Sequence, residues 1–145
     1  MTLAEFFGHA IRLETAAEQA YRDLVQRVLD QKRLDAMEFF DQMAEYARLH
    51  REAMQAEAAA LDIPLPASAT HATVAVENPT GAPASVALED AMQEALDAER
   101  RGVRFYADVA AAAEDDELRR IAATFADEER AHVAALERFM GLRAY

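Results

Sequence analysis

Residues 13–21 of the chain are LETAAEQAY, and residues 98–106 are AERRGVRFY. Both stretches carry a glutamate followed seven residues later by a tyrosine, at an offset of 85 residues. Seven residues are two turns of an α-helix, so the two side chains share one helical face. A second match, at an offset of 82 residues, aligns residues 43–50, MAEYARLH, with residues 125–132, FADEERAH. The pattern predicts two related helical hairpins, each with a glutamate on its first helix and a histidine on its second.

Apolar residues at helical spacing extend these stretches to four long helices. The predicted helices cover about residues 3–29, 36–61, 86–113 and 117–140. Each predicted helix also has residues typical of a helix end, which are Thr2 with Glu5, Asp35 with Glu38, Ser85, Asp115 or Asp116, and Gly141. The sequence therefore predicts an all-α protein.

The segment between the two hairpins, residues 62–84, has no helical periodicity and holds all four prolines. Helices of about 26 residues are roughly 39 Å long, and an extended chain of about 23 residues can reach about 75 Å. The segment is therefore long enough to run the full length of a helical bundle. It predicts a four-helix bundle of up-down-down-up order with one long crossover loop, formed by residues 1–145 as a single domain.

The composition excludes several classes of protein. The chain has 145 residues, a formal net charge of −12 and no cysteine, which excludes disulfide frameworks, iron–sulfur clusters and thiol nucleophiles. Nucleic-acid binding needs clustered cations, whereas these basic residues alternate with carboxylates on helical faces. No apolar run is long enough to span a membrane, and charged residues interrupt the first twenty positions. We therefore expect a cytoplasmic protein that binds neither nucleic acid nor membrane.

The histidines mark a candidate metal site. Glu129 and His132 are three residues apart on a predicted helix, so they project from one face and can bind the same ion. This spacing alone also fits an ordinary surface pair. The repeat adds weight, because Glu14 matches Glu99 and His50 matches His132. Unpaired carboxylates are costly on an apolar face, and a shared cation would explain both glutamates.

These residues resemble the rubrerythrin-like branch of the ferritin-like di-iron carboxylate proteins. The resemblance covers all four helices and is clearest in the second hairpin, over residues 98–106, 114–118 and 127–132. In that family, one glutamate from each of two helices and an E-x-x-H run from each of the other two hold two iron ions. The resemblance implies a ferritin-like four-helix bundle and, by position, the metal ligands Glu14, His50, Glu99, Glu129 and His132.

The first hairpin departs from this family pattern at one position. Ala47 stands where a glutamate should precede His50, and Glu45 lies on a different helical face. Glu18, one turn after Glu14, matches Val103 in the repeat, so the first helix has gained a carboxylate where the second has lost one. We expect Glu18 to compensate for Ala47 as a metal ligand. His50 could instead be a core histidine bonded to a neighbouring carboxylate.

The resemblance implies redox chemistry at a dinuclear iron centre, with Mn or Zn as alternative metals. The expected activity is that of a peroxidase or ferroxidase acting on O₂ or hydrogen peroxide. Tyr21 and Tyr106 would serve as hydrogen-bond donors or redox-active phenols beside the metals, although a purely structural role in the core fits them equally well. Since the chain has no cysteine for a rubredoxin-type site, its electron donor should be a separate protein.

A second interpretation remains open because of Ala47. The chain could be a degenerate ferritin-like scaffold that holds one metal ion or none and serves a structural or interaction role. Under either interpretation we expect a homodimer.

Overall fold

A computed structural model of the chain describes residues 1–65 and 84–142, with side chains in the second range from Leu88 onward. Four α-helices occupy these residues: α1 (Leu3–Asp30), α2 (Leu34–Ala60), α3 (Ala84–Ala112) and α4 (Asp116–Phe139). No strand occurs in either range, which confirms the all-α prediction. Most of the predicted crossover loop, residues 66–83, lies outside the described residues. Ser85, predicted to cap the third helix, falls within α3, and its side chain lies outside the described part.

The chain divides into two compact units. The N-terminal unit is Thr2–Met92, and the C-terminal unit is Gln93–Tyr145 together with Met1. The first unit contains α1, α2 and the beginning of α3, while the second contains the rest of α3 and all of α4. The single domain that the sequence suggests for residues 1–145 stays a prediction.

In the first hairpin, α1 packs against α2. The helix begins with the predicted capping box, in which the Thr2 hydroxyl accepts from the Glu5 amide at 3.1 Å and the Glu5 carboxylate accepts from the Thr2 amide at 2.8 Å. Further along, the Tyr21 and Phe40 rings stack with centroids 6.3 Å apart. The buried apolar face of the hairpin includes Phe6, Phe7, Ile11, Leu24, Val28, Met43 and Met54.

The beginning of α2 differs from the prediction. The helix begins at Leu34, two residues before the predicted start, with Arg33 as its N-cap and no capping hydrogen bond from a side chain. The reason is the tight end of α1, where Lys32 adopts φ 56° and the Arg33 amide donates to the Val28 carbonyl at 3.2 Å. This closure leaves Arg33 ready to accept the first bond of α2, from the Met37 amide at 3.0 Å. The predicted capping role of Asp35 was wrong.

In the second hairpin, Asp115 caps α4 by accepting a hydrogen bond from the Leu118 amide at 2.9 Å. The acidic turn therefore begins a helix, where negative charge is favourable. Gly141 ends α4 with φ 76°, as predicted. Between these ends, the Tyr106 and Phe125 rings meet edge to face with centroids 5.6 Å apart. The tyrosines of the repeat thus each contact an aromatic ring on the following helix.

Candidate metal centre

The second hairpin brings three of the predicted ligands together. Glu99 projects from α3, while Glu129 and His132 lie one turn apart on α4. The His132 Nδ1 atom lies 3.7 Å from a Glu129 carboxylate oxygen and 3.8 Å from one of Glu99. Both glutamates are about 5% exposed, and His132 is largely buried. The packing of α3 on α4 therefore gathers two carboxylates and one imidazole in a buried cluster.

The electrostatics of this cluster favour a positive charge among its oxygen atoms. Burial, together with the neighbouring Glu129 carboxylate, raises the pKa of Glu99 to about 7, although His132 opposes the shift. Burial by itself would lower the pKa of His132, but the Glu129 and Glu99 carboxylates outweigh it and raise that pKa to about 10. At separations near 3.7 Å these contacts are ion pairs, not short hydrogen bonds. Two close carboxylates out of water call for a cation.

The donor set fits a divalent metal ion. Carboxylate oxygens with an imidazole nitrogen are the ligands found at Fe, Mn and Zn sites. With His132 neutral, the two carboxylates carry the charge that one divalent ion would balance. The ligand atoms of Glu129 and His132 are close enough to share one ion. The residues present in this hairpin therefore fit a divalent metal ion.

Gly102, which the sequence analysis did not single out, lies beneath the Glu129 carboxylate. A Cβ atom added at Gly102 would be 3.5 Å from Glu129 Oε2 and 3.7 Å from its Cδ. This is ordinary van der Waals contact, so a methyl group fits. A glycine inside a helix is itself a signal in the sequence, since it costs about 1 kcal/mol relative to alanine.

In the first hairpin, the predicted pair of Glu14 and His50 also meets. Glu14 is 3% exposed, and its Oε1 atom lies 3.6 Å from His50 Nδ1. The contact corresponds to that between Glu99 and His132 in the second hairpin. Ala47 is buried at the position of the missing carboxylate and offers no ligand. The contact fits both roles considered for His50, as a metal ligand or as a core histidine.

Glu18 lies one turn from Glu14, as expected, but its carboxylate is bonded to two arginines. Arg22 donates to Oε1 at 3.2 Å, and Arg51 donates to Oε2. Arg51 comes from α2, so this ion pair joins the two helices of the hairpin. The sequence analysis did not single out Arg51. The repeat contained the signal, because Arg51 aligns with Val133 just as Glu18 aligns with Val103.

Glu45, which the sequence excluded as a ligand, pairs with Arg48 one turn along α2 at 3.0 Å. The Arg48 hydrogen bond lowers the pKa of this exposed carboxyl group. Asp127 and Arg130 form the matching pair on α4 at 2.8 Å. The repeat therefore extends to the surface ion pairs.

Tyr21 and Tyr106 are both fully buried, at 1% and 0% exposure. Each lies two turns after the glutamate of its own hairpin and packs against an aromatic ring of the next helix. This burial and ring packing are what ordinary core tyrosines show. They also hold two phenols within the same buried helix faces as Glu14 and Glu99, so both roles considered for the tyrosines remain.

Comparison with known proteins places these observations in a family. The family model Rubrerythrin matches residues 5–140. The crystal structure of an uncharacterized conserved protein from Magnetospirillum magnetotacticum MS-1 is 32% identical, with a TM-score of 0.80, and the match covers 100% of this chain and 97% of that one. Both findings confirm the ferritin-like four-helix bundle. No curated protein matches the chain. In the described residues, no helix is long and apolar enough to cross a membrane.

Proposed function

The chain belongs to the rubrerythrin family, and from that premise we propose that it is an oxidoreductase with a dinuclear iron centre, acting on O₂ or hydrogen peroxide. The observation that carries the proposal is the buried cluster of Glu99, Glu129 and His132. These three groups can hold a divalent ion, and their burial is difficult to explain without one. The activity is of the peroxidase or ferroxidase type.

The proposed ligands come from both hairpins. The second hairpin supplies Glu99, Glu129 and His132, and the first supplies Glu14 and His50. Glu18 joins this set only when Arg51 and Arg22 release its carboxylate, since both of its oxygens accept hydrogen bonds from them. Iron is the metal that the family implies, and the oxygen and nitrogen donors would also accept Mn or Zn.

When bound, the dinuclear centre supplies the electrons that reduce O₂ or peroxide. The protein's contribution is to exclude water and to orient the ligands on rigid helices. Tyr21 and Tyr106 would stand beside the metals as buried hydrogen-bond donors or redox-active phenols. Electrons would be returned by a separate donor protein. A homodimer in the cytoplasm remains part of the proposal, and light scattering measures the oligomeric state.

Metal loading tests the proposed function. Purified protein stripped of metal is titrated with Fe(II) without oxygen, the bound iron is counted, and O₂ or peroxide is then added. We expect about two iron ions per chain and a visible absorption band on oxidation. The His132→Ala variant should bind less iron. The His71→Ala variant, whose substitution is outside the proposed ligand set, should bind as much iron as the wild-type protein. No iron bound at any concentration would refute the proposal.

A second candidate function is a ferritin-like scaffold with one metal ion or none. Two observations favour it: Ala47 supplies no ligand, and the Glu18 carboxylate is bonded to arginines. The same titration separates the two functions, because the scaffold would bind at most one iron and show no oxidation by O₂ or peroxide. The Tyr106→Phe variant adds a further test, since it should slow oxidation only if the phenol takes part in the chemistry.

A further inference from the structure

The ion pair between Glu18 and Arg51 has no counterpart in the second hairpin. The equivalent positions there are Val103 and Val133, so both members of the pair are exchanged together for apolar residues. Glu18 and Arg51 are also both largely buried, with side chains 14% and 23% exposed. Both charged residues are present in the first hairpin and both are replaced in the second. The ion pair that connects α1 with α2 is therefore specific to the first hairpin.

The pair changes the charge available to a metal ion. In the second hairpin, the group paired with the Glu99 and Glu129 carboxylates is His132, which can give up its proton and bind the metal ion itself, whereas an arginine keeps its charge. In the first hairpin, Glu14 and Glu18 also provide two carboxylates, but the Arg51 guanidinium already neutralises one. A divalent ion beside Glu14 and His50 would therefore meet one fewer negative charge and a nearby positive charge. Both effects weaken its binding in a buried, low-dielectric site.

Arg51, and not Arg22, is the important partner of Glu18. Arg22 is 45% exposed and lies one turn from Glu18 on the same helix, an arrangement that contributes little to stability. Arg51 comes from the neighbouring helix and carries its charge into the largely buried side of the hairpin. Its guanidinium therefore competes directly with any cation for the Glu18 carboxylate.

Building on the proposed function, we propose that Arg51 is an internal cation that competes with a metal ion for Glu18 and makes the two metal positions unequal. The position served by Glu99, Glu129 and His132 fills first. The position served by Glu14 and His50 fills second and is weaker, because Glu18 is held by Arg51. Arg51 is thus a positioning residue that acts through Glu18.

The test is a titration of the full chain with Mn²⁺. Calorimetry measures the binding steps, and electron paramagnetic resonance measures the concentration of free Mn²⁺. The unchanged protein should show one tight and one weaker binding step. Arg51→Val, which installs the residue type of Val133, should tighten the weaker step by about ten- to a hundredfold, the usual effect of groups that orient metal ligands. The tight step should stay unchanged.

Further variants test the roles of Glu18, of the Arg51 charge and of the two histidines. Adding Glu18→Val to the Arg51→Val variant should remove the gain, because the freed carboxylate is then missing. Arg51→Lys keeps a cation and should keep the second step weak. Arg51→Met retains the length of the side chain and replaces the valine variant if that one folds poorly. His50→Ala should abolish the weaker step and His132→Ala the tight one, which assigns each step to a hairpin.

The outcomes distinguish this inference from the proposed function. Two equal Mn²⁺ steps in the unchanged protein, or a second step that Arg51→Val and Arg51→Met both leave unaltered, would overturn the role of Arg51 while a dinuclear site stands. A chain that binds no Mn²⁺ or Fe(II) in any variant would overturn the proposed function itself. Tightening of the second step, lost again without Glu18, supports both.

Discussion

Among single residues, Glu99 and Glu129 show most directly the conflict between stability and metal binding. Their carboxylates are buried beside each other, and burial with this neighbour raises the pKa of Glu99 to about 7. Close like charges out of water destabilise the folded chain unless a cation compensates for them. The same arrangement attracts a metal ion. Residues that favour binding therefore cost stability when the metal is removed.

Replacing Glu99 with glutamine should separate these two effects. In metal-free protein at pH 8, Glu99→Gln should raise the free energy of unfolding by about 1–3 kcal/mol, because a buried ionised carboxylate becomes neutral. In the same variant, Mn²⁺ affinity should fall. Chemical denaturation and calorimetry measure the two quantities. Glu94→Gln, at an exposed position, should change neither. A loss of stability in metal-free Glu99→Gln would contradict this account.

Gly102 allows a second prediction, since it lies against the Glu129 side chain. Gly102→Ala should raise the free energy of unfolding by up to about 1 kcal/mol, because alanine favours a helix and its methyl group fits in ordinary contact. Gly102→Leu should push the Glu129 carboxylate away and weaken Mn²⁺ binding. Thermal denaturation and Mn²⁺ titration measure these effects. Equal metal affinity in the leucine and alanine variants would show that Gly102 has no influence on Glu129.

At the scale of the elements, three helices end in the same way although only one ends in glycine. Lys32, Asp62 and Gly141 follow α1, α2 and α4 with φ values of 56°, 56° and 76°. In each case the next amide donates to a carbonyl in the last turn, as from Leu142 to Glu137 at 2.8 Å. The motif ends a helix sharply. At Lys32 and Asp62, a residue with a Cβ atom occupies a conformation that favours glycine.

The end of α1 yields a third prediction. Lys32→Gly should raise the free energy of unfolding by about 1 kcal/mol, because glycine adopts a positive φ without the steric cost of a Cβ atom. Gly141→Ala is the matched substitution at the end of α4 and should lower it. Thermal denaturation of both variants measures the difference. Stabilisation by Gly141→Ala, or destabilisation by Lys32→Gly, would show that these helix ends follow another rule.

At the scale of the whole molecule, metal binding and folding are linked. An ion that binds only the folded state, and not the unfolded chain, stabilises the protein. The gain is about 2.7 kcal/mol when the free ion concentration is a hundred times the dissociation constant. We therefore expect Mn²⁺ to raise the melting temperature of metal-stripped protein and a chelator to reverse the rise. Calorimetry at several Mn²⁺ concentrations measures it. In Glu129→Ala the rise should shrink, and a rise of the same size there would show that Mn²⁺ binds elsewhere.

The local elements of this fold were accessible from the sequence. Helical spacing placed the four helices within two residues of their observed ends, and the capping box of Thr2 and Glu5 and the terminal Gly141 were found where predicted. These features depend on neighbours in the chain, so a linear pattern reveals them. The start of α2 was missed because it depends on the closing turn of α1. In that turn Lys32 adopts a positive φ, which a glycine in the sequence would have indicated and a lysine does not.

By itself, the sequence determined which residues could become ligands. The repeat of glutamate and histidine, and the Glu129 to His132 spacing, define faces of single helices, which follow from helical geometry alone. Only the tertiary structure decided what lies opposite those faces. It put Glu99 beside His132, Glu129 over Gly102, and Arg51 on the carboxylate of Glu18. Contacts between helices depend on how the helices pack, and the spacing of residues within one helix does not encode its partner's register.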